Sequence, residues 1–307
     1  MKTFIKVIEI WIPDKERTQL EFGSGLYGGL TEFKHASEKQ HFAYDEGLPG
    51  KAWAARHPIV LSRFEQSYFK RTSAAQKAGL TCGIAIPIFS GDFLLAVVVF
   101  LCGDDQEQAG AIEVWNNEGA TDHALHVLDG YYGSLTQFET QSRQIGLPKG
   151  QGIPGRSWET AMPVLVEDIG KATEYVRSGD ALKAGISTVL GIPFVNGDER
   201  AYVITFLSAK STPIAKRIQI WMPDAEGRQL VCRQSHSKNS NNLAEIFETL
   251  TVNKGDGALG RVWLTGMPLI TGNQDESYNE ELDDLSRMLA IPVIEQGRLK
   301  AIVTFLF

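Results

Sequence analysis

Apolar and polar residues alternate strictly at three places: Ile8-Glu9-Ile10-Trp11, Ile112-Glu113-Val114-Trp115 and Ile218-Gln219-Ile220-Trp221. A period of two places the aliphatic residues on one face of a β-strand and the Glu-Trp or Gln-Trp pair on the other. Each strand opens a segment with the same sequence of signals. A second strand is predicted at Gln19–Phe22, Ala124–Val127 and Gln229–Cys232. A long irregular, partly helical stretch then leads to GLPGKAW (Gly47–Trp53), GIPGRSW (Gly152–Trp158) and GALGRVW (Gly257–Trp263). These three share G-x-x-G-[KR]-x-W and start 105 residues apart. Five residues beyond each Trp, a Pro (Pro58, Pro163, Pro268) introduces a short β-branched strand.

Helices with A-x-x-A spacing follow at Ser73–Ala78 and Asp180–Ala184, with Gly79 and Gly185 placed as C-cap glycines. Each segment closes with an Ile-Pro strand (Ile86-Pro87, Ile192-Pro193, Ile291-Pro292) and an apolar strand ending in Phe100, Phe206 or Phe305. The predicted turns between these last two strands are Ser90–Asp92, Asn196–Asp198 and Gln296–Arg298. The order predicts an α+β fold with antiparallel sheets, in units 1–103, 104–209 and 210–307. From Trp263 to Ile291 is 28 residues, against 33 and 34 in the other units, so the third unit is shortened before its final hairpin.

This ordered set resembles the GAF domain family, and in triplicate it covers nearly the whole chain. The resemblance implies, in each unit, a six-stranded antiparallel sheet with a small-molecule pocket under loops and short helices. It also implies sensory or regulatory work in the cytoplasm. One departure is the short link between units. Eleven residues separate Phe100 from Ile112 and Phe206 from Ile218, too few for long signalling helices. Such links leave two arrangements open: independent tandem units, or units that exchange first strands and close a pseudo-threefold ring.

Composition narrows the function. With 30 basic and 37 acidic residues the net charge is −7, and no unit is strongly basic (+2, −8 and −1), so nucleic acid is not an expected partner. The longest apolar run, Phe93–Cys102, is a strand-length ten residues, so no membrane span is expected. Met1–Trp11 reads as a strand and not as a signal peptide, which with three cysteines favours the cytoplasm.

No catalytic constellation emerges, and the chain is not expected to be an enzyme. His123 and His126 do not share a strand face, and no paired Cys has zinc spacing. No Cys precedes a His as in bilin-binding GAF domains, so no cofactor is expected. Asn253-Lys254 lacks the downstream pattern of cyclic-nucleotide GAF domains. Cys82 and Cys102 leave a thiol-dependent redox enzyme as an alternative, and a protein-interaction scaffold with vestigial pockets as another.

The leading expectation is a regulatory protein that binds an unidentified small organic ligand in at least one of its first two units. A protein partner or a second copy of the chain is the other kind of partner considered. The candidate ligand residues are Trp11, Lys51, Arg63, Phe64 and Tyr68 in the first unit, and Trp115, Glu167, Asp168 and Tyr175 in the second. Lys51 and Arg63 favour an anion; the −8 unit favours a neutral or cationic ligand. Tyr278 marks the corresponding stretch of the third unit. Trp53, Trp158 and Trp263 are expected to be buried anchors of the double-glycine loops. Trp11, Trp115 and Trp221 are expected on the pocket or interface side, contributing more to binding than to stability.

Overall fold

The computed structural model describes residues 5–103, 110–171, 177–196, 200–209, 212–237, 250–272 and 287–307. The first unit contains β1 (Ile5–Pro13), β2 (Gln19–Leu26), α1 (Thr31–Glu38), β3 (His41–Ala43), α2 (Gly47–Ala55), β4 (Ile59–Leu61), α3 (Thr72–Lys77), β5 (Cys82–Ser90) and β6 (Phe93–Cys102). The second repeats this order: β7 (Gly110–Asn116), β8 (Ala124–Tyr131), α4 (Thr136–Ser142), β9 (Leu147–Pro148), α5 (Gly152–Thr160), β10 (Val164–Val166), α6 (Ser178–Lys183), β11 (Ile186–Asn196) and β12 (Arg200–Ala209). The third contains β13 (Arg217–Pro223), β14 (Gln229–Ser237), β15 (Thr251–Asn253), α7 (Gly257–Thr265), β16 (Leu269–Thr271), β17 (Met288–Glu295) and β18 (Arg298–Leu306).

The fold is α+β, with three six-stranded antiparallel sheets of one topology: β3-β2-β1-β6-β5-β4 and its two counterparts. Each first strand pairs with the last strand of its own sheet, Ile10 with Val98, Val114 with Ile204 and Ile220 with Val303. Strand exchange does not occur. Nor are the units independent. The aliphatic faces of all three sheets pack into one cluster that holds Ile8 and Ile10, Ile112 and Val114, and Ile218 and Ile220. At its centre Phe100, Phe206 and Phe305 meet edge to face, with centroids 5.4, 5.8 and 6.0 Å apart. The ring is therefore closed by sheet backs and seams instead of swapped strands. Closure this way needs no long linker, because links of a few residues suffice between sheets that already touch.

The seams follow the same threefold logic. The short edge strand of each unit lies against the second strand of the next: β4 on β8, and β16 on β2. Between the second and third units, Gln234 Nε2 of β14 donates to Leu165 O of β10 at 2.9 Å.

The double-glycine motif is a helix start. Gly47, Gly152 and Gly257 adopt φ of +60°, +61° and +55°, a region that favours glycine. The second glycine has a different role. A Cβ on Gly50, Gly155 or Gly260 would lie 2.2, 2.2 or 2.4 Å from the carbonyl oxygen of Ala43, Pro148 or Asn253. The helix thus abuts the backbone of the sheet's outermost strand. Gly155→Ala is expected to destabilise the protein by on the order of 2 kcal/mol or more, measured by chemical denaturation, because backbone must move.

The Trp expectation is reversed. Trp53, Trp158 and Trp263 are half-buried, capped by cations or rings such as Lys149 over Trp158. Trp11, Trp115 and Trp221 are the fully buried set. Burial of strand residues on both sheet faces explains the reversal: helices and loops cover the front as completely as neighbouring sheets cover the back.

Candidate functional site

The front face of each sheet carries the second side chain of the alternating pattern, and there the units diverge. In the first unit Glu9 is wholly buried and accepts from Trp11 Nε1 (3.0 Å) and Tyr27 Oη (2.9 Å). Arg71, at the start of α3, reaches across and grips it with both terminal nitrogens, Nη2 to Oε2 at 2.9 Å. Nη1 also donates to Ser37 Oγ, whose own proton goes to Phe33 O. The guanidinium carbon lies 4.9 to 5.3 Å from the rings of Phe33, Phe69 and Trp11.

The second unit reproduces this. Arg177 holds Glu113 at 2.8 and 2.9 Å, and Nη1 donates to Ser142 at 2.6 Å. Trp115 Nε1, Thr205 Oγ1 and Tyr132 Oη complete the carboxylate's shell. Burial by itself would raise the pKa of Glu9 and Glu113. The facing guanidinium and the donated hydrogen bonds outweigh it and hold both carboxyls below the ordinary range.

The space expected to take a ligand in these two units is therefore occupied by the chain's own arginine. A planar cation, bidentate on a carboxylate and walled by aromatic rings, has the contacts a bound ligand would have. The candidate residues do not converge on it. Trp11 and Trp115 line the buried arginines. Phe64 is buried and stacks on Phe69 at 3.8 Å. Lys51 pairs with Asp45 at 3.0 Å and caps the half-buried Tyr68. Arg63 is exposed and faces the second unit. Glu167 pairs with His236 of the third unit at 3.5 Å, and Asp168 accepts from Gly170 N. Tyr175 and Tyr278 lie outside the described residues. The preference of Lys51 and Arg63 for an anion over Trp11 finds no support, since neither reaches that face.

The third unit differs at the decisive position. Gln219 replaces the glutamate, 2% exposed, and its Oε1 accepts from Trp221 Nε1 (3.1 Å) and Thr304 Oγ1 (3.2 Å). These donors correspond to Trp115 and Thr205 on Glu113 Oε2. By that match Gln219 Nε2 points where Glu113 Oε1 meets Arg177, and among the described residues Nε2 has no hydrogen-bond partner. An amide N–H₂ cannot hold a guanidinium. At this position the third unit presents a donor where the first two present an acceptor. Arg217, two residues earlier on the same face, is buried and donates to Ser235 at 2.9 Å; burial lowers its pKa. The pattern Glu, Glu, Gln at these positions, with Arg71 and Arg177 available only to the glutamates, was a readable signal in the repeats.

Other chemistry is weakly supported. Cys82 and Cys102 are both free, buried and directly paired across β5 and β6. Burial pushes the Cys82 thiol well up, which disfavours the thiolate that redox catalysis uses. Among the described residues no group of three or more His, Cys, Asp or Glu could hold a metal, and no helix is long and apolar enough to cross a membrane.

No protein-family model and no curated protein sequence matches the chain. Solved structures with a similar local fold include a free methionine-R-sulfoxide reductase from Neisseria meningitidis in complex with its substrate. It is 14% identical over 32% of this chain, with TM-score 0.26. A second is the NreA protein of Staphylococcus aureus, mutated in its nitrate-binding site (16%, 35% of this chain and 79% of that one, TM-score 0.28). A third is the A. aeolicus Nlh2 GAF domain in an inactive state (21%, 34% and 61%, TM-score 0.26). The chain spans about half (52%) of the length of the first of these.

Proposed function

We propose that this is a non-enzymatic, small-molecule-binding regulatory protein in which the first two units are self-filled and structural and the third holds the ligand. The reading rests on Gln219 Nε2, a buried amide donor left without a partner on the face where the other units seat their own arginine. An unmet buried donor costs about 1–3 kcal/mol, so a ligand acceptor placed there recovers that penalty on binding. The ligand class is a small organic molecule presenting a carbonyl or carboxylate oxygen to Gln219, beside the ring of Trp221.

A native mass spectrum of the freshly purified protein should reveal a retained small molecule. In a thermal-shift screen, acceptor-bearing metabolites should raise the melting temperature. Stabilisation follows RT ln(1 + [L]/Kd), about 2.7 kcal/mol at a hundredfold excess over Kd. Gln219→Glu, which turns the donor into a repelling carboxylate, should abolish the shift. If nothing is retained and no compound shifts the wild type, the scaffold reading holds for all three units.

A further inference from the structure

The three seams between units are equivalent by sheet register, yet they are not closed alike. In the seam between the second and third units, Gln234 reaches from β14 to the carbonyl of Leu165 on the edge strand β10. His236, two residues on, pairs with Glu167 just beyond that strand. These contacts latch the seam. Register places Gln234 opposite Ile220, and Asp129 opposite Val114 in the same position of β8. Likewise Tyr131 stands for His236, Ser62 for Glu167, and Val60 for Leu165.

The substitutions undo the latch. A carboxylate has no proton to give an edge-strand carbonyl, and a Tyr–Ser pair cannot form an ion pair. At this seam, between the first and second units, β4 still packs on β8, and a cleft of about 530 Å³ lies beside the junction. Its walls are the segment after β4 (Ser62, Arg63, Phe64), the end of α3 with Leu80 and Thr81, and the end of β8 with Asp129 and Tyr131.

Two polar groups in these walls want partners. Asp129 is half-buried, and the hydrogen bond found for its carboxylate is from Gly130 N at 2.8 Å. Thr81 Oγ1 is buried and, among the described residues, has no hydrogen-bond partner. Arg143 also lines the cleft, where it is engaged with Glu139 at 2.9 to 3.0 Å, and the exposed Arg63 and Glu65 complete its charged lining. Burial raises the pKa of Asp129 against the opposing pull of the Gly130 N–H and of Arg143.

We propose that the seam between the first and second units is a second binding site, distinct from the third unit's front face, for a small organic cation carrying several N–H donors, such as an alkyl guanidinium or primary amine. The cation's N–H groups supply what Gln234 supplies in the latched seam: donors to the acceptors lining the junction, with Asp129 as counter-ion. Phe64, Leu80 and Tyr131 provide apolar wall for an alkyl stem. Because the site bridges two units, occupancy tightens the seam.

Agmatine tests this, with glutarate as an anionic control of similar length, by isothermal titration of the full chain. Agmatine should bind saturably, glutarate should not, and Asp129→Asn should weaken agmatine by about tenfold or more. Asp129→Gln, which copies Gln234, should both abolish agmatine binding and raise the melting temperature by latching the seam. Equal binding by wild type and Asp129→Asn, equal binding of glutarate, or no saturable agmatine binding in the millimolar range overturns the proposal. Gln219→Glu should leave agmatine binding unchanged, so the failure of this site and of the third-unit site are separable.

Discussion

Arg177→Leu should destabilise the protein by about 3–5 kcal/mol, because it strands Glu113 as an unpaired charge at a wholly buried position. The loss is mainly the penalty of an uncompensated carboxylate, not the net worth of the pair. Glu113→Gln combined with Arg177→Leu should therefore recover much of it. The double variant copies the third unit, where Gln219 takes the same Trp and Thr donors and, among the described residues, no arginine sits in the arrangement of the first two. Urea unfolding of the three proteins at neutral pH measures the effect. Acid provides an independent reading. Glu9 and Glu113 have folded pKa values below their unfolded ones, so the stability they contribute is present above the unfolded pKa and is lost as pH falls through the folded one. Wild type should lose stability over that acidic window more steeply than the double variant, in which one of the two carboxyls no longer titrates. Equal slopes would mean that Glu113 is not held ionised by Arg177.

The repeated units and their strands were legible because each signal was local. Alternation at Ile8–Trp11, the Ile-Pro strands and the glycine stops at Gly79 and Gly185 act within a few residues of themselves; the first two recur three times and the glycine stops twice. Arg71 was not legible as a pocket filler, since its partner Glu9 lies 62 residues away in sequence. In a half-buried strand a glutamate beside Trp11 reads as a solvent- or ligand-facing group. Only the closed front layer, with Phe33, Phe42 and Phe69 packed around the guanidinium, makes it core. The error over the two tryptophan sets has the same origin. A helix-borne Trp beside two glycines looks like an anchor, whereas a strand covered on both faces buries its Trp more completely. The threefold arrangement was only partly visible: short links left a ring open beside independent tandem units, and nothing local distinguishes swapped strands from sheets packed back to back.

That packing leads to the second large effect. Phe206→Ala should cost about 3–5 kcal/mol and should lower the stability of all three units together. Phe206 has no exposed surface and touches both counterparts edge to face, Phe100 at 5.4 Å and Phe305 at 5.8 Å. Each such aromatic pair contributes about 0.5–1.5 kcal/mol beyond area burial, so the truncation removes two pairs and leaves a cavity on the pseudo-threefold axis. No unit can unfold without uncovering the aliphatic backs of the other two sheets, Ile8 and Ile10 or Ile218 and Ile220 among them. Calorimetry should accordingly show one cooperative transition for the wild type and one transition, at lower temperature, for Phe206→Ala. Three separable transitions, or a single shifted one among them, would mean that the sheets are coupled too weakly for the shared core to govern unfolding. The variant should also leave the front-face carboxylate of its own sheet in place at temperatures where it remains folded, since Thr205, which donates to Glu113, points to the opposite face of β12 from Phe206.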